Sequence, residues 1–213
     1  MTDLFATTLH TLGVVPVVKL DNAHAAGKLA QALLDGGLPC MEITFRTDAA
    51  AAAIRAVTQQ FPEMLVGAGT VLTMEQLDCA LDAGAKFIVA PGFNPAIVTA
   101  CTTRDVPVIP GCVTPTEIET ALAHGIRTVK FFPAEAFGGL ATLKALSAAY
   151  GDVRFMPTGG IGAHNLAEYL AFPKVVACGG SWMVSDALVR FGRFAEVTRL
   201  TREAVAIVKA RPQ

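Results

Sequence analysis

The 213-residue chain is 53% hydrophobic and 16% charged, with a formal net charge of −1, a composition that lets residues 1–213 bury one substantial core as a single soluble globular domain. Near-neutral charge without any Lys/Arg run excludes the basic footprint that nucleic acid and anionic membranes require, and no apolar stretch approaches the ~20 residues of a membrane span, which leaves small molecules as partners. Five cysteines, scattered and without a CxxC or Cys/His metal spacing, fit free thiols serving as small core residues in a reducing cytoplasm.

The N-terminal segment MTDLFATTLHTLG predicts a short amphipathic helix, with no basic n-region to suggest a signal peptide. Eight short apolar runs follow: VVPVVKL from Val14, CMEITF from Cys40, MLVGAGT from Met64, FIVAPG from Phe87, VPVIPGC from Val106, TVKFFPA from Thr128, RFMPTGG from Arg154 and VVACGGS from Val175. Their hydrophobicity is nearly continuous, the pattern of strands covered on both faces in a parallel sheet. Between them lie helical patterns with readable ends. Thr73 to Gln76 and Thr114 to Glu117 fit the capping box, Pro115 and the Asn94–Pro95 pair are start signals, and Gly36, Gly84 and Gly125 sit where glycines end helices. A helical tail covers about residues 194–210. Strand then helix, eight times at a spacing of roughly 23 residues, predicts an α/β fold of the closed (β/α)₈ (TIM) barrel type. A doubly wound open sheet is the alternative, but it needs edge strands, and none of the eight runs is charged enough to be one.

In such a barrel the active site collects at the C-terminal ends of the strands, and the unusual residues cluster there. Lys130 interrupts an otherwise buried strand. It either reaches past the strand end to water or a structural carboxylate, or is desolvated so that the neutral, nucleophilic amine is favoured. Lys19, ending the first strand beside the Asp21–Asn22 turn, is a weaker rival. Glu42, between Met41 and Ile43, is a carboxylate inside a strand, either a general base near that lysine or half of an internal ion pair. Arg46, at the exit of the same strand, can grip a carboxylate bidentately or be a surface residue. The seventh and eighth runs end in PTGGIG and CGGSW. Thr158, Gly159, Gly160, Gly179, Gly180 and Ser181 would there form a backbone cradle for phosphate, the bland reading being two tight turns. The four histidines fall in helical or loop patterns, and no metal site is expected.

The motifs MEITFRT (41–47), VGAGTVL (66–72), APG (90–92), IPG (109–111), VKFFPAE (129–135), PTGGI (157–161) and GGSW (179–182) make the chain resemble, over nearly its whole length, the 2-keto-3-deoxy-6-phosphogluconate aldolases and 4-hydroxy-2-oxoglutarate aldolases. The resemblance implies a (β/α)₈ barrel, a homotrimer, and class I aldolase activity without metal or other cofactor. It also implies a Schiff-base lysine at Lys130, a general acid/base at Glu42, a pyruvate-carboxylate arginine at Arg46, and pocket residues at Thr70, Pro91 and Phe132. The threonine that separates this branch from the galactonate-type aldolases falls on Thr158. Two other functions stand beside it: isomerisation of a sugar phosphate on the same barrel, and a catalytically silent phosphate-binding subunit.

Overall fold

The computed structural model describes residues 2–211. Helix α1 (Thr2–Leu12) leads into β1 (Val14–Val18), after which helices and strands alternate: α2 (Ala26–Asp35), β2 (Cys40–Thr44), α3 (Ala50–Gln60), β3 (Leu65–Gly69), α4 (Met74–Asp82), β4 (Phe87–Val89), α5 (Pro95–Thr103), β5 (Val108–Ile109), α6 (Pro115–Ala123), β6 (Thr128–Phe131), α7 (Gly139–Ala149), β7 (Arg154–Pro157), α8 (Leu166–Leu170) and β8 (Cys178–Gly180). Helices α9 (Asp186–Arg190) and α10 (Phe194–Lys209) complete the chain. Each of the eight apolar runs contains one strand, and the expected helical tail is α10. Met1, the first residue of the expected N-terminal helix, lies outside the described residues.

The fold is α/β with a curled, parallel sheet. Six strands pair in the order β5-β4-β3-β2-β1-β8, and β6 pairs with β7 as a separate ribbon. Pairing of the first strand with the last is not the order of a doubly wound open sheet. The ribbon meets its neighbours through single bridges, Gly111 to Lys130 on one side and Phe155 to Val175 and Thr158 to Gly179 on the other. An eight-strand barrel with uninterrupted ladders is therefore not what forms. Prolines at 107 and 110 bracket β5 and lack amide donors, which holds that strand to two residues.

Alternate strand residues sort into two apolar clusters. Val15, Cys40, Phe87, Val89, Ile109 and Met156 form one, with Leu9 and Phe5 of α1 packed against its N-terminal end; the Phe5 and Phe87 ring centroids lie 5.3 Å apart. Their strand neighbours Val14, Met41, Ile88 and Phe155 join the helical layer, with Leu29, Ile54, Leu77 and Val197. The inner face is thus apolar and plugged at the end where the strands begin.

The helix signals are met with two exceptions. Thr114 and Glu117 make a full capping box, and Asn94 caps α5. Thr73 accepts from Gln76 N, but the Gln76 side chain accepts from Leu72 N (2.7 Å) instead of closing the box. Gly84 and Gly125 take positive φ after α4 and α6, whereas after α2 it is Gly37 that does so and Gly36 stays right-handed. Four cysteines are buried, but Cys79 is exposed because α4 turns Leu77 and Ala80 inward. No helix among the described residues is long and apolar enough to cross a membrane.

Candidate active site

The two-residue period of β2 decides what faces inward. Cys40 belongs to the inner cluster and Met41 and Ile43 to the helical layer, so Glu42 and Thr44 share the inner face, beyond the apolar plug. Glu42 is 0% exposed and Lys130 only 3%, and their side chains meet, Lys130 Nζ donating to Glu42 Oε1 at 3.3 Å. The second carboxylate oxygen, Oε2, has no partner among the described residues. Room for the carboxylate comes from β3, where a side-chain carbon on Gly69 would overlap Glu42 Oε1. Lys130 is fixed by its backbone: its N–H donates to Pro110 O and its carbonyl accepts from Cys112 N, both at 2.8 Å. Its ammonium also stands 5.4 Å from the Phe132 ring centroid. Lys19 is a different object, ion-paired with Asp21 (2.9 Å) and Asp186 (3.5 Å). The Asp21 hydrogen bond is the first cause that holds it protonated, above the usual lysine value.

Around this pair the strand ends supply the other expected residues. Thr70, directly after β3, adopts φ +56°, a region a β-branched residue enters only where its surroundings force it. Pro91 is half-buried, and a side-chain carbon on Gly111 would overlap its carbonyl oxygen. Thr158 is 6% exposed, donates to Met156 O at 3.4 Å, and fills the space left by Gly179. Arg46 is exposed beyond the end of β2; no hydrogen bond or ion pair joins it to Lys130, Glu42 or any other described residue. Ser181 is exposed just after β8, and Gly180 is covered by the Trp182 ring.

The turn after β7 has a marked polarity. Gly159 and Gly160 take φ +96° and +82°. The carbonyls of Thr158, Gly159 and Gly160 accept from Ala134 N (2.8 Å), Glu135 N (3.1 Å) and Asn165 Nδ2 (3.0 Å). The N–H groups of Gly160 and Ile161 have no acceptor among the described residues. Acceptors are tied back and donors left open, the arrangement that suits an anion.

The KDPG and KHG aldolase family model matches residues 5–200. The chain belongs to this family. A 2-dehydro-3-deoxy-phosphogluconate aldolase of Treponema pallidum is 53% identical over 94% of this chain and 95% of its own length. A KDPG aldolase of Legionella pneumophila, solved with pyruvate captured as a covalent carbinolamine, superposes with a TM-score of 0.90 at 36% identity, covering 93% of this chain and 97% of that one. The 2-keto-3-deoxy-6-phosphogluconate aldolase of Zymomonas mobilis, solved with 3-phosphoglycerate, gives 0.88 at 36% identity over 95% of both chains. This chain is thus an aldolase of that family, an aldehyde-lyase.

Sequence reasoning missed three residues that shape this aldolase's glycine turn: Asn165, Glu135 and Tyr169. Glu135 stands in the VKFFPAE motif and could have been singled out there. Asn165 and Tyr169 carry no local signal, because their partners are brought to them only by the fold.

Proposed function

We propose that this aldolase cleaves 2-keto-3-deoxy-6-phosphogluconate to pyruvate and glyceraldehyde 3-phosphate, and 4-hydroxy-2-oxoglutarate to pyruvate and glyoxylate, through an iminium on Lys130. The observation that carries this reading is the buried Lys130–Glu42 contact with one carboxylate oxygen unengaged. Glu42 takes a proton from the Lys130 ammonium, and the freed amine adds to the C2 ketone to give a carbinolamine, as pyruvate does in the Legionella relative. Glu42 returns that proton to the carbinolamine hydroxyl, which leaves as water, so that Glu42 is a carboxylate again and the iminium that remains is an electron sink. Glu42, through a water, removes the C4 hydroxyl proton; the C3–C4 electron pair moves into the iminium, the aldehyde departs, and an enamine of pyruvate remains. Glu42 then returns a proton to C3, and water hydrolyses the iminium to release pyruvate and Lys130.

Arg46, its guanidinium unpaired, receives the substrate carboxylate, with Thr70, Pro91, Phe132 and Thr158 as walls of the pyruvate pocket. The open N–H groups of the Gly159–Gly160 turn, with Gly180 and Ser181, receive the phosphate. We further read residues 1–213 as one domain whose strands close into a barrel, the single bridges beside β6 and β7 being its seams, and the enzyme as a cytoplasmic homotrimer.

Borohydride reduces an iminium irreversibly, so protein treated with pyruvate and borohydride should gain a covalent adduct that peptide mapping places on Lys130. An adduct on Lys19, or none, overturns the assignment. Glu42→Gln should still be trappable while turnover falls by ~10²–10⁴-fold, the range for a lost general acid/base.

A further inference from the structure

Glu135 has no part in the chemistry above, yet it touches the glycine turn twice. Its N–H holds Gly159 O, and its side chain lies flat on Gly160, where an added side-chain carbon would overlap Glu135 Cγ and stand 2.6 Å from Cβ. The carboxylate does not point freely into water: Oε1 accepts the Tyr169 hydroxyl. Tyr169 is 2% exposed, and burial first, then the Glu135 hydrogen bond, pushes its phenol up, so it remains a protonated donor.

We propose that Glu135 and Tyr169 are a positioning pair that keeps the Gly159–Gly160 turn in its anion-accepting shape, and so sets the preference for phosphorylated over dicarboxylic substrates. This rests on reading that turn as the phosphate cradle. Two glycines at positive φ leave the turn little intrinsic stiffness, so its shape depends on what packs against it. A carboxylate beside a phosphate is unfavourable unless its charge is engaged elsewhere. Released from Tyr169, Glu135 can swing its carboxylate onto the open N–H groups of Gly160 and Ile161 and occupy the cradle itself.

The test compares KM and kcat for 2-keto-3-deoxy-6-phosphogluconate and 4-hydroxy-2-oxoglutarate in wild type, Tyr169→Phe and Glu135→Gln. Tyr169→Phe should raise KM for the phosphorylated substrate about tenfold, the scale of one hydrogen bond to a charged group, with both constants for the dicarboxylic substrate within about twofold of wild type. Glu135→Gln keeps an acceptor for Tyr169 and loses the competing charge, so it should stay near wild type on both. Equal losses on the two substrates, or no change in Tyr169→Phe, overturn the proposal. Where Tyr169→Phe folds poorly, Glu135→Asp, at an exposed position, keeps the charge but shortens its reach to Tyr169 and reads the same split. The cradle reading is tested apart, in wild type, by condensing pyruvate with glyceraldehyde 3-phosphate or with glyceraldehyde. No preference for the phosphorylated aldehyde removes the cradle and the proposal with it; a preference that Tyr169→Phe leaves intact removes the positioning pair alone.

Discussion

Replacing Lys130 with Met keeps much of the side chain's volume but strands Glu42, whose hydrogen-bond partner among the described residues is Lys130 Nζ. At their 3.3 Å separation, the Coulomb attraction in an effective dielectric of about 20 is roughly 5 kcal/mol. Removing one partner of a buried pair is observed to cost about 3–5 kcal/mol, because the other charge is left without water or counter-ion. The two figures agree, and both fall within the ~5–15 kcal/mol that hold a domain together. Lys130→Met should therefore fold, with a thermal midpoint lowered by roughly 10 °C for a chain of this size. Glu42→Gln added to Lys130→Met removes the stranded charge and should recover at least about half of the loss. The assay is thermal and urea unfolding of wild type, both single variants and the double variant at one protein concentration, so that subunit association contributes equally. If Lys130→Met lies within about 1 kcal/mol of wild type, or if the double variant is no more stable than the single one, the desolvated-pair reasoning is wrong.

Gly111→Ala should be expressed poorly or unfold at much lower urea, since the added carbon meets the Pro91 carbonyl and backbone cannot yield as a side chain can; overpacking of this kind costs about 1–3 kcal/mol or more. Thr70→Gly gives up a left-handed threonine worth roughly 1–3 kcal/mol of strain, so its thermal midpoint should hold or rise while kcat/KM falls; a destabilised variant would mean that the strain is not there. Activity should survive exhaustive treatment with EDTA, because the iminium supplies the electron sink; loss that zinc or magnesium restores would contradict this. Partial burial first, and then Arg211, hold His10 below its ordinary value of 6.5, so the folded chain binds fewer protons than the unfolded one. Stability should fall as pH drops through that region, and His10→Gln should flatten the slope in urea titrations.

The strand–helix alternation was legible because its signals are local. A β-branched run bounded by glycine or proline says strand wherever it packs, and Thr114 finds Glu117 three residues on whatever the fold. Lys130 and Glu42 were legible for another reason: a charge inside an apolar run is an anomaly that needs no partner to be noticed. Pairing them took the structure, since 88 residues separate them. The two-residue length of β5 follows from prolines whose effect depends on which neighbour each missing donor would have reached. Tyr169, 2% exposed, carries no such signal; its hydroxyl finds a partner only because the fold brings Glu135 to it across 34 residues.

The inner face of the sheet is a problem of volume as much as of charge. Large residues there stand opposite glycines on the adjoining strand: Phe87 fills the space of Gly67, Glu42 that of Gly69, and Thr158 that of Gly179. Adding a carbon to any of these three glycines forces a side chain across the strand to move, and two of those side chains belong to the candidate site. These glycines thus act as spaces of fixed shape for the side chains of the adjoining strand. The apolar plug of α1 packs against the same inner face on which Glu42 and Lys130 are buried, at 0% and 3% exposed. A desolvated ion pair alone is a liability to stability. The pair formed here leaves one carboxylate oxygen unengaged among the described residues, an acceptor for the proton transfers of the reaction we propose.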